Sequence, residues 1–106
     1  MTASEAPVAE TLAAMTAVSL EASTLSAREL MIARIAALAA MEAPSISYAL
    51  NLGVAEEAGV TLSDTQGILV AVAPLIGTPR VAAACVGLAE GIGYVIALEE
   101  SGAGSG

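Results

Sequence analysis

Apolar residues recur along this chain at the three- and four-residue spacing of helices, and nowhere alternate with period two long enough to require a sheet. The first expected helix runs from Val8 to Ala22, opened by Ser4 and Pro7, with Leu12, Met15, Val18 and Ala22 on one apolar face. The second starts at Ser26-Ala27-Arg28-Glu29, a capping box in which the serine hydroxyl and the glutamate carboxylate satisfy each other's backbone amides. Leu30, Ala33, Ala37, Leu38 and Met41 then follow helical spacing, Ile32, Ile35 and Ala36 add apolar surface elsewhere, and the helix stops before Pro44. The third is expected from Ser45 to Gly59, with Tyr48, Leu52 and Ala55 as its stripe and Gly59 in the position that ends helices with a positive φ. Glu56 and Glu57 in its last turns oppose the helix dipole, which calls for an exposed end or an arginine partner.

Thr61-Leu62-Ser63-Asp64 reads as a second capping box, opening a fourth helix that runs to about Ile76, with Pro74 ending or kinking it. Thr78 is then the expected N-cap of a fifth helix, with Pro79 at its first position and its end near Glu100. This helix is apolar almost all round, Glu90 being the only charge between Arg80 and Glu99. Such a helix is buried on every side, which in so short a chain means against other copies. Gly87 and Gly91, with Ala83 and Ala84 nearby, form a small-residue face that lets another helix approach closely. Ser101 to Gly106 reads as a flexible tail. The pattern therefore gives an all-α chain of five helices in a single domain, residues 1–106.

Composition sharpens this picture. The chain is 57% hydrophobic with no Phe or Trp and only two tyrosines, Tyr48 and Tyr94, so its apolar content is mainly Ala, Val, Leu and Ile. That is more apolar surface than a monomer of this size can hide, and self-association is the expected outcome. Net charge is -8, with three arginines and no lysine. Nucleic acid and anionic membrane surfaces are excluded as partners, because both require a basic footprint. The apolar run Gly67–Gly77 is too short to span a bilayer, and Thr78, Pro79 and Arg80 interrupt the chain directly after it. The N-terminal stretch carries Glu5 and Glu10 where a signal peptide carries Lys or Arg, and a cytoplasmic location is expected.

The residue inventory excludes several chemistries. Without histidine there is no His acid–base catalysis and no Ser-His or Cys-His nucleophile, and the usual zinc sites are absent, so neither metal nor cofactor is expected. Cys85 stands alone, in Ala82-Ala83-Ala84-Cys85-Val86, and reads as a small buried hydrophobe. Glu29 has the chemistry of a general base but is better placed as a cap. Arg34, in an apolar stretch, either clamps a carboxylate ligand or, preferably, pairs with an acid such as Glu90 of the same or another subunit. Arg80, in the first turn of the fifth helix, opposes that helix's dipole and points to solvent or to an acid.

In their order these features resemble the carboxymuconolactone decarboxylase family, which includes the alkylhydroperoxidase D-like proteins. The matching stretches are Arg28-Glu29-Leu30 opening a helix, the helix from Ser45 to Ala58-Gly59-Val60-Thr61, Asp64, and Ala73-Pro74-Leu75-Ile76-Gly77-Thr78-Pro79-Arg80. The resemblance covers about residues 26–89. It implies an interlocked all-α homo-oligomer, a trimer or hexamer, with a pocket near the subunit interface. Redox members carry C-x-x-C with His four residues after the second Cys. Aligned on Ala58-Gly59, those positions hold Pro44, Ser47 and Asn51, and Glu29 matches a helix-opening acid. Thiol-peroxidase activity is thus not expected. Two readings are open: a structural or ligand-binding oligomer, or a non-redox enzyme on a small acidic or lactone substrate. In the second, Glu29 is the base, Arg34 or Arg80 clamps a carboxylate, and Ser47, Tyr48 and Asn51 orient the substrate.

Overall fold

The computed structural model describes residues 6–105, with backbone alone at 98–99 and 101–105. It is all-helical over that range, with α1 (Pro7–Ala22), α2 (Ala27–Ala40), α3 (Ser45–Glu57), α4 (Leu62–Ile76) and α5 (Thr78–Ser105). Helices α2 to α5 pack on one another, the closest association being α3 with α5. Ser4 lies outside the described residues. Pro7 does open α1, but the capping residue is Ala6, which offers no side chain to the helix amides.

The two capping boxes form as expected. The Ser26 hydroxyl accepts from the Glu29 amide at 3.1 Å and the Glu29 carboxylate from the Ser26 amide at 2.9 Å. Thr61 and Asp64 repeat the arrangement at 3.0 and 2.8 Å. Helix α3 ends in a Schellman turn around Gly59, whose φ is 88°. There the Val60 amide reaches back to the Ala55 carbonyl at 2.9 Å, and both residues are buried. Helix α2 ends the same way around Glu42, φ 53°, with the Ala43 amide on the Leu38 carbonyl at 3.0 Å. Glu56 and Glu57 are exposed, which leaves their charges to water at the unfavourable end of α3.

Helix α2 turns a different face inward from the one expected. Leu30, Met31, Ile35 and Ala39 are buried, whereas Ala33, Ala37 and Met41 are exposed. Apolar residues lie all round this helix, so periodicity does not choose a face. The choice goes to the larger Met31 and Ile35 side chains, whose burial removes more apolar area from water.

Helices α4 and α5 meet at Gly77 alone, φ 87°. The Val81 amide bonds the Gly77 carbonyl at 3.1 Å, so Gly77 holds the capping place expected of Thr78, and Thr78 becomes the first helical residue. Pro74 sits in the last turn of α4 without ending it. Helix α5 continues to Ser105, past the end expected near Glu100 and through the stretch expected to be a flexible tail. Its span Thr78–Ala97 is long and apolar enough to cross a membrane, unlike the shorter run Gly67–Gly77.

Within the chain, the described side chains of α5 are buried on one side only. Ala84, Gly87, Leu88 and Gly91 face inward, while Val86, Tyr94 and Ile96 are exposed. Cys85 is exposed as well, contrary to its expected burial. One residue beyond the buried Ala84, it is turned about 100° from it around the helix. The small-residue face receives a side chain of the same chain: a β-carbon on Gly87 would lie 2.6 Å from the Tyr48 ring. One on Gly91 would lie 2.9 Å from the Tyr48 Cβ and 3.0 Å from the Ala49 amide nitrogen. The missing side chains let α3 and α5 approach, and Tyr48 fills the space.

Candidate functional site

The expected site residues divide among five places, Ser47 standing by itself, half-buried in the first turn of α3. Glu29 is committed to its capping box, and the Ser26 amide and then the Ser26 hydroxyl hold its carboxyl below the usual range. A carboxylate stabilised in this way is a weak base near neutral pH. Tyr48 belongs to the core, 1% exposed, packed with Ala39, Leu69, Ala84 and Leu88. Its hydroxyl has no hydrogen-bond partner among the described residues, and burial pushes its pKa up, with the nearby Cys85 thiol adding to the effect. It is not presented to a substrate.

Arg80 donates to the Ile76 carbonyl at 3.2 Å. Because one residue separates α4 from α5, the N-terminus of α5 lies against the C-terminus of α4. A cation unsuited to the first dipole is thereby placed on the negative end of the second.

Arg34 and Asn51 are the two expected residues that the fold brings together. They line a groove of about 310 Å³ with Ala37 and Leu38 on one wall and Met15, Thr16 and Ser19 of α1 on the other. Arg34 is half-buried and makes no hydrogen bond or ion pair among the described residues; the expected pairing with Glu90 does not occur within the chain, where Glu90 is exposed. Asn51 donates its side-chain amide to the Ser47 carbonyl at 2.8 Å, one turn back along α3. Neither Glu29 nor Ser47 lines this groove.

A second groove, about 420 Å³, runs between the end of α3, the start of α4 and the outer half of α5. Leu52, Val60, Leu62, Ile92, Val95 and Ile96 make it mostly apolar, and among the described residues Glu56 is the one charge that lines it. No local pattern of residues marks it, because the α3–α4 turn forms one wall and Ile92 to Ile96 of α5, well downstream in the chain, form the other.

An ion pair not anticipated from the sequence joins Arg28 to Asp64 at 2.8 Å, with the same guanidinium nitrogen donating to the Gly59 carbonyl at 2.6 Å. It ties the start of α2 to the turn between α3 and α4. Arg28 first, then the Thr61 amide and hydroxyl, hold the Asp64 carboxyl well below the usual carboxylate range. The signal is present in part: Asp64 is legible as a cap, but its second role depends on which helices pack together.

No family model, curated protein or solved structure matches this chain. A functional reading therefore rests on its own residues and surfaces. Those residues supply one half-buried arginine beside an amide, without a base in the same groove. The surface carries many exposed apolar side chains, those of Val8, Leu12, Met15, Val18, Val70 and Leu75 among them.

Proposed function

We propose that the chain works as a homo-oligomer, structural or ligand-binding, without thiol-peroxidase chemistry, on the plan of the carboxymuconolactone decarboxylase family that its sequence resembles. The observation that carries this reading is surface. The chain exposes 6823 Å², where a compact monomer of its mass exposes about 5400 Å². Its radius of gyration is 14.9 Å, against about 13 Å for a compact chain of this length. Val8, Leu12, Met15 and Val18 of α1 and Val70 and Leu75 of α4 all stand open to solvent. Apolar surface on this scale marks an interface.

The rival destination for this surface is a bilayer, through α5. Glu90 argues against it. It lies within the span Thr78–Ala97, exposed on the chain's surface, and an acidic residue at the middle of a membrane helix costs about 2.5 to 3.5 kcal/mol. The enzyme reading retains Arg34 as a carboxylate clamp, but Glu29 is bound to its cap and lines neither groove. We therefore rank binding or structural service above catalysis.

Light scattering on the purified protein in detergent-free buffer tests the reading. The expected outcome is a discrete oligomer, with a mass that is a whole multiple of 10.4 kDa. A stable monomer, or protein recovered only in detergent, would overturn it.

A further inference from the structure

Helix α1 is the least supported element of the chain. Its 16 residues include none that is buried, and its N-cap makes no side-chain hydrogen bond. An isolated helix of this length is marginal in water, since most helical stability in proteins comes from packing one apolar face. Helix α1 has such a face: Val8, Leu12 and Met15 recur at the i, i+4, i+7 spacing and are 71%, 54% and 61% exposed. Both described glutamates of α1, Glu10 and Glu21, fall on the opposite side of the helix by the 100° step of its residues. What α1 meets in its own chain is the wall of the Arg34–Asn51 groove, reached by Met15, Thr16 and Ser19 across open space.

The seat that such a stripe fits is the apolar groove of α3, α4 and α5. An amphipathic helix recognises a groove of this kind through anchors at i, i+4 and i+7. Glu56, the one charge among the described residues of the groove, meets no like charge from the arm when the stripe faces in, because Glu10 and Glu21 then face out. Area supports a second copy of the chain as the occupant. The excess over a compact monomer is about 1400 Å² per chain, and a stable interface needs about 800 Å² from each partner.

We infer that α1 is a docking arm: its Val8–Leu12–Met15 stripe seats in the α3–α4–α5 groove of a second copy, beside Leu52, Ile92 and Ile96. This deepens the homo-oligomer reading and rests on it. In a two-fold pair the exchange is reciprocal, each copy giving one arm and receiving one. The linker of four residues, Ser23–Ser26, bridges at most about 14 Å, so the two bodies joined by each arm lie close together.

Two measurements test the arm. In the first, Leu12→Glu/Met15→Glu is weighed by light scattering beside the unaltered chain. The variant is expected at 10.4 kDa with its far-ultraviolet helical signal largely kept, since α1 contributes nothing to the core. In the second, Leu12→Cys and Ile96→Cys are placed on separate co-expressed copies that both carry Cys85→Ala, and a short bismaleimide is added. A covalent dimer containing one of each copy is expected, at several times the yield of either variant alone. An oligomeric wild type whose mass the two glutamates leave unchanged would overturn the arm while sparing the homo-oligomer. Cross-linking through Leu12→Cys alone would replace the groove by pairing of two α1 helices, and so also overturn it. A monomeric wild type would remove both.

Discussion

At the scale of single residues, two side chains carry costs that nothing around them offsets. The Tyr48 hydroxyl is fully buried and unpartnered, and a polar group in that state loses its hydration without gaining a bond. Tyr48→Phe is therefore expected to leave the melting temperature unchanged or raise it. A loss of more than about 1 kcal/mol in urea unfolding would show that the hydroxyl has a partner in the assembled protein. Glu42 holds the positive φ of the turn that ends α2, where a residue with a side chain costs about 1 kcal/mol over glycine. Glu42→Gly should accordingly stabilise the chain by up to about 1 kcal/mol, less the backbone freedom that glycine gains when unfolded. Thermal unfolding of the two proteins side by side measures it.

At the scale of elements, the association of α3 with α5 depends on two absent side chains. Gly87→Ala and Gly91→Ala each place a β-carbon inside contact distance of Tyr48, and overpacking of this kind costs about 1 to 3 kcal/mol. Gly91→Ala is expected to be the less forgiving, because it also meets the Ala49 backbone, which cannot turn aside. Gly93 lies on the same helix with open space around its Cα, so Gly93→Ala should stabilise by up to about 1 kcal/mol through helix propensity. If all three substitutions moved the melting temperature alike, close packing would not be the reason for the glycines.

The starts of α2 and α4 respond to acid. The folded chain holds the Asp64 and Glu29 carboxyls below their ordinary values. Their stabilisation is then complete above the unfolded carboxylate range near pH 4 and is lost as pH falls through the depressed folded values. Asp64→Asn should be less stable than the unaltered chain at neutral pH. That gap should narrow as the solution is taken to about pH 2, below the unfolded carboxylate range and on the way to the depressed folded value. Denaturant melts at the two pH values measure it; a constant gap would mean that the carboxylate's charge is not what stabilises the turn.

For the whole molecule, the surface area and the exposed stripe of α1 set the expectation that stability depends on protein concentration. An oligomer whose arms are ordered only by partners loses them on dilution. The midpoint of thermal unfolding should then rise with protein concentration, whereas an intramolecular fold gives a constant value.

The sequence alone determined that five helices form and where α2, α3 and α4 begin and end, because those boundaries are local chemistry, whereas the cap and the far end of α5 departed from it. Ser26 with Glu29, Thr61 with Asp64 and Gly59 each satisfy backbone groups within a few residues, and all three sit where the spacing placed them. It determined equally that histidine and paired-thiol chemistry are absent. Tertiary structure decided what depends on distant partners. It chose the Met31–Ile35 face of an evenly apolar α2, gave the Gly87–Gly91 face to Tyr48 and joined Arg28 to Asp64. Periodicity states which faces are apolar. Only packing states which of them another helix covers.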